Sequence, residues 1–285
     1  MHLQWFPGHM TRAIRMMEEE VKLVDGIIFV LDGRAPFACM NKRLEKVFAN
    51  KPVLYLLNKA DLVDAQDLKK IIKIFESQNK RVVTSIGVSE KSVKPLYDAV
   101  FDMLKPVLDK YKSKGIKKPL RALVVGIPNT GKSTVINLLT GGKKARTGDK
   151  AGVTKDKQWV KVKDLELLDT PGTTPPSFDS QENAKFLAYI GSINDDILDF
   201  NELAIELIKY LVVNCENVLK NTYNVDTLDK TPLEILEEIG KRRGALKKGG
   251  EIDYDRVSKL LITDLRKGKL GKILFIEEGF VTANG

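Results

Sequence analysis

The sequence predicts an α/β fold, a mostly parallel sheet with helices on both faces, followed by a smaller all-α unit. Three observations predict it. Short β-branched apolar runs alternate with helical patterns from about residue 10 to residue 170. The runs are nearly continuous in their hydrophobicity, as strands buried on both faces are. Past Asp169, the stretch PGTTPPSFDS (171–180) can continue neither a helix nor a central strand, and only helical periodicity follows it.

The elements follow in order. A helix is expected over 12–24, then a strand over 26–32 (GIIFVLD), a helix over 42–50 and a strand over 52–57 (PVLYLL). Next come a helix over 65–78, a strand over 81–85 (RVVTS), a helix over 93–111 and a strand over 122–126 (ALVVG). A helix over 132–139 precedes two strands, 159–162 and 165–169, joined by a tight turn at Lys163-Asp164. Helical patterns then cover 181–191, 199–220, 231–243 and 253–267. A boundary near residue 178 divides the chain into 1–178 and 179–285.

With 285 residues, 43% hydrophobic and 30% charged, the chain has the composition of a globular protein rather than a disordered one. Cys39 and Cys215 lack metal-ligand or redox spacing and read as reduced thiols. No apolar run reaches the roughly 20 residues that span a bilayer. The N-terminus has no basic region followed by an apolar one, and Glu18-Glu19-Glu20 speaks against a transit peptide. A cytoplasmic, monomeric protein without a membrane span is expected. The net charge is +9, and it is concentrated. Residues 241–272 hold eleven basic against four acidic residues, and residues 105–121 seven against one.

The segment Gly126-Ile127-Pro128-Asn129-Thr130-Gly131-Lys132-Ser133 follows a strand and opens a helix, the context a phosphate loop requires. Its N–H groups and the helix N-terminus form an anion nest that Thr130, Gly131 and Thr134 help to line. Lys132 would reach the β- and γ-phosphates, and Ser133 would ligate Mg²⁺. Downstream, Asp169-Thr170-Pro171-Gly172 ends an apolar strand. Asp169 would hold the metal through water, and the Gly172 N–H would sense the γ-phosphate. Thr154, in Gly152-Val153-Thr154, is the candidate switch threonine and a further Mg²⁺ ligand.

Asn58-Lys59-Ala60-Asp61 specifies the base. Asp61 would accept from guanine N1–H and N2–H₂, a donor pair that adenine lacks, and rejection follows from leaving a carboxylate unpaired. Asn58 would bind N7 and tie this loop to the phosphate loop, with the Lys59 stem over the ring. Ser85, after RVVT, stands where a Ser-Ala-Lys base loop is expected, although Ile86 and Gly87 depart from Ala-Lys. GTP and GDP are therefore the expected ligands. An ordinary GTPase runs phosphate loop, switch threonine, DxxG, NKxD; here NKxD comes first, which implies a circular permutation.

The motifs Trp5-Phe6-Pro7-Gly8-His9-Met10, Asp32-Gly33-Arg34-Ala35-Pro36, NKAD, GIPNTGKS, GVT and DTPG occur here in one order. With the tail Lys241-Arg242-Arg243-Gly244 and Gly249-Gly250, that order resembles the circularly permuted ribosome-assembly GTPases of the YlqF/RbgA type over essentially the whole chain. The resemblance implies GTP hydrolysis coupled to maturation of the large (50S) ribosomal subunit precursor, with the basic 241–272 region on rRNA. It also implicates His9 as the residue that orients water, since Thr173 stands where many GTPases carry Gln. Asn129 occupies the position that holds K⁺ in cation-dependent GTPases. Two other readings stay open: an RNA-binding scaffold with little turnover, and an organellar relative of the same family. A P-loop ATPase or kinase is disfavoured by NKAD. The stretch 171–180 would join the γ-phosphate sensor covalently to the helical unit.

Overall fold

The computed structural model describes residues 8–141, 158–169, 180–215 and 217–277, the side chains of 8–13 and 158 excepted. Among them, six strands form one sheet: β1 (Gly26–Asp32), β2 (Val53–Asn58), β3 (Arg81–Ser85), β4 (Leu120–Val125), β5 (Gln158–Val162) and β6 (Leu165–Asp169). The spatial order is β3-β2-β1-β4-β6-β5. Neighbours are parallel except β5 and β6, the hairpin expected around Lys163, which turns with φ 51°. Strand order reverses between β1 and β4, and ligands bind open parallel sheets in the crevice at such a switch point.

The helices of the nucleotide-binding part are α1 (Gly8–Val21), α2 (Lys42–Phe48), α3 (Ala65–Ser77), α4 (Val93–Ser113) and α5 (Lys132–Leu139). The part that follows is helical: α6 (Gln181–Tyr189), α7 (Phe200–Asn214), α8 (Val218–Tyr223), α9 (Pro232–Arg243) and α10 (Tyr254–Arg266). Caps set many of the ends. Asn41, Asp64, Ser180 and Asp199 each accept from backbone N–H groups of the first turn. Thr231 and Glu234 make a capping box ahead of α9, with Pro232 at its start and Gly244 closing its end at φ 65°. The single helix expected over 199–220 is two helices instead. Cys215 leaves helical geometry at φ −135° and Asn217 is left-handed at φ 64°. The apolar period runs on across the break because Leu211 and Leu219 are both buried.

The sheet is covered on both faces. Ile28, Val30, Leu54 and Leu56 pack with Leu96, Val100 and Leu104 of α4 and with Val135 and Ile136 of α5. Ile27, Phe29 and Leu31 point the other way, into a core shared with α2 and α3. That second core continues without interruption into the helical part, through Phe186, Tyr189, Leu203, Leu207, Leu261 and Phe275. Phe186, Tyr189, Tyr210 and Phe275 form one ring cluster with centroids 5.2–6.4 Å apart. No helix among the described residues is long and apolar enough to cross a membrane.

Candidate nucleotide-binding site

The parallel strands bring the motifs together at their C-terminal ends. Asp32, Asn58 and Ser85 are register partners across β1, β2 and β3. β4 runs into Gly126, and Asp169 closes β6 opposite Val124. Sequence separation is erased by register: residues 58–61 and 126–133 meet in one crevice.

The phosphate loop has the backbone that its glycines permit. Gly126 has φ +152°, and a Cβ there would lie 2.4 Å from the Val30 carbonyl oxygen. Gly131 has φ +94°, and a Cβ would lie 2.3 Å from Asn58 Nδ2. The second glycine is thus imposed by Asn58. Asn129 is left-handed at φ 61°. The buried Thr130 hydroxyl donates to the Ile127 carbonyl at 3.1 Å. Lys132 Nζ folds back to the same carbonyl at 3.1 Å, and burial pushes its pKa down to about 8, partly opposed by the Asp169 charge.

Two contacts join the loops. Asn58 Nδ2 donates to the Thr130 carbonyl at 2.8 Å, which leaves its second amide proton for a ligand. Lys59, left-handed at φ 58°, donates from Nζ to the Asn129 carbonyl at 2.7 Å. Asn58 Oδ1 and Ser85 Oγ are buried without a hydrogen-bond partner among the described residues. Such atoms in this crevice fit a site built for a polar ligand. Asp61 is exposed on a one-turn 3₁₀ segment beside them. A Cβ at Gly87 would lie 3.1 Å from Asn58 Oδ1 and 3.3 Å from Thr134 Cγ2. The loop after Ser85 therefore packs directly onto Asn58, and a glycine stands where the expected pattern has lysine. The Ile86 N–H donates to Ser92 Oγ at 3.0 Å.

Ser133 Oγ lies 3.2 Å from Asp169 Oδ2, with Asp169 almost wholly buried. Two hard oxygen donors side by side fit Mg²⁺. Asn129 Nδ2 donates to the Gly191 carbonyl at 2.6 Å, so this side chain faces the helical part. Thr154 and Gly172 lie outside the described residues. His9 lies in the first turn of α1, and its side chain lies outside them.

Sequence reasoning gave no role to Asp32 and Arg34. Asp32 is wholly buried and Arg34 2% exposed. Arg34 grips the carboxylate at 2.9 Å from Nε and 2.8 Å from Nη2, and Lys59 Nζ adds a third contact at 2.7 Å. Burial alone would raise the Asp32 pKa, but the two cations hold it far below the ordinary carboxylate value. Arg34 Nη1 also reaches the Leu265 carbonyl at 3.2 Å, and the Phe275 N–H returns to the Arg34 carbonyl at 2.6 Å. The available signal was an Asp and an Arg two residues apart at the end of a fully apolar strand.

A relative from Bacillus cereus, "Ribosome biogenesis GTPase A", is 40% identical over 277 residues, covering 96% of this chain and 94% of its own length. The chain belongs to the ribosome biogenesis GTPase A family. Solved structures of YlqF agree. A GDP-bound one superposes with TM-score 0.66 at 29% identity, over 93% of this chain and 99% of that one. A GNP-bound one from T. maritima gives 0.64 at 29% identity, over 93% and 97%. The family profile described as "50S ribosome-binding GTPase" matches residues 121–243, a span that begins at β4 and excludes NKAD. As a ribosome biogenesis GTPase A homologue, the chain has a P-loop GTPase domain with a mostly parallel sheet, permuted in order, and a helical C-terminal region.

Proposed function

We propose that this GTPase of ribosome assembly binds the large-subunit precursor and couples GTP hydrolysis to late maturation and to its own release. The observation that carries the reading is the joining of the two recognition loops, Asn58 to Thr130 at 2.8 Å and Lys59 to Asn129 at 2.7 Å. In this reading Asn58, Lys59, Asp61 and Ser85 take guanine. Asn129, Thr130, Gly131, Lys132, Ser133 and Thr134 take the phosphates, and Gly172 senses the γ-phosphate. Ser133, Asp169 and Thr154 hold Mg²⁺, which would neutralise charge on the phosphates when bound. His9 orients water, and Asn129 serves K⁺. The phosphates need Lys132 protonated.

The chain divides in this reading into 1–178, which handles nucleotide, and 179–285, which handles RNA; it works as a cytoplasmic monomer. Lys241, Arg242, Lys247 and Lys248 are exposed around the loop between α9 and α10, which the Leu246–Ile252 bridge closes. Exposed lysines and arginines with few aromatics suit phosphate-backbone contacts on rRNA. Turnover of GTP should rise with purified large subunits, more in K⁺ than in Na⁺, and binding to subunits should weaken steeply with salt. Little turnover with or without subunits would favour a scaffold role instead.

A further inference from the structure

We propose that Asp32 is a positioning residue for guanine-nucleotide binding, acting through Lys59. The inference rests on the reading of residues 58–61 as the base-reading loop. Lys59 has a long side chain, 27% exposed, on a left-handed backbone. Left to itself such an ammonium samples many rotamers, and ordering it costs binding free energy. Here it is fixed at two points, the Asp32 carboxylate and the Asn129 carbonyl, each at 2.7 Å. The anchor itself cannot drift. Asp32 ends β1 in register with Asn58, and its Oδ1 accepts from both the N–H of Arg34 at 3.1 Å and its Nε at 2.9 Å.

The buried carboxylate therefore does two things. It neutralises one of two adjacent cations, and it holds the other where the Lys59 stem and the phosphate loop meet. Arg34 extends the same cluster to the last turn of α10, at the Leu265 carbonyl. The ammonium is placed before the nucleotide arrives, and GDP binds without the cost of placing it.

The test is a double-mutant cycle on GDP affinity, with Asp61→Ala as a reference for the site. Asp32→Asn removes the charge at nearly constant shape, and loss of one charge-assisted hydrogen bond predicts a GDP Kd raised about tenfold. Lys59→Met should weaken GDP as well. In the Lys59→Met background, Asp32→Asn should add almost nothing, whereas two independent structural effects would multiply. Additive changes, or an unchanged Kd in Asp32→Asn, would overturn the proposal while leaving the site reading intact. Unchanged GDP binding in Asp61→Ala and Lys59→Met would instead sink the site reading. A second measurement needs no altered Asp32. In the unmodified protein with GDP bound, the Lys59 ammonium, assigned by its loss in Lys59→Met, should give an NMR signal with slowed proton exchange. A freely exchanging Lys59 ammonium in that complex would show that Asp32 does not hold it.

Discussion

Raising the pH should release nucleotide as Lys132 loses its proton. The free protein buries this ammonium against the Ile127 carbonyl at 3.1 Å, with a pKa pushed down to about 8. In the proposed site, phosphates would bind its charged form and raise its pKa in the complex. Affinity is therefore full below pH 8 and falls as pH rises through that value. From pH 7 to pH 9 the protonated share drops from about nine-tenths to about one-tenth, so Kd for GDP should rise about tenfold, equal to about 1.4 kcal/mol. Calorimetry in buffers of different ionisation enthalpy should show uptake of about three-quarters of a proton at pH 8.5. Lys132→Arg stays charged over this range and retains whatever pH dependence comes from the base. Absence of proton uptake at pH 8.5, with a wild-type-to-variant affinity ratio constant from pH 7 to 9, would refute the reasoning.

Gly131→Ala meets both a φ of +94° and Asn58 Nδ2 at 2.3 Å. It should cost about 1–3 kcal/mol in thermal unfolding and more than tenfold in GDP affinity. Gly141→Ala, at φ +65° with nothing within 4 Å, should cost only about 1 kcal/mol. Arg34→Met leaves the buried Asp32 charge with Lys59 as its one remaining cation among the described residues and should lower stability in urea by about 3 kcal/mol at neutral pH. Asp32 is depressed in the folded state, so its stabilisation is present above the unfolded value of about 3.9 and lost as pH falls. The acid limb of the stability profile should therefore flatten in Arg34→Met. Ser192→Ala deletes a buried donor to the Pro128 carbonyl and should cost about 1 kcal/mol in urea unfolding.

Much of this was legible because the strands are so plainly apolar. GIIFVLD reads as a two-faced buried strand, and β1 covers the same residues in the structure. The phosphate loop was legible because its glycines answer to backbone geometry that any nucleotide cradle shares. What was not legible depended on long-range contact. Asn217 breaks a helix whose apolar period continues, since both halves face one core. Arg34 looks like a surface residue until the last turn of α10 arrives over it. The covalent stretch 171–180, expected to couple the two parts, lies outside the described residues. Among the described residues, direct contacts also connect them: Ile273 to the Leu62 carbonyl at 3.1 Å, and the turn after α6 to the phosphate loop.

That turn has a thermodynamic consequence. Gly191 and Ser192 are bonded to Asn129 and Pro128, while Arg266, at the end of α10, steadies them through the Ala188 carbonyl at 2.8 Å. If occupying the phosphate loop alters this seam, then whatever grips the helices alters nucleotide affinity, and reciprocity fixes the two effects at the same factor. A ribosomal particle that tightened GTP tenfold would itself be held ten times more tightly by the GTP-loaded protein. Measuring either ratio yields the other.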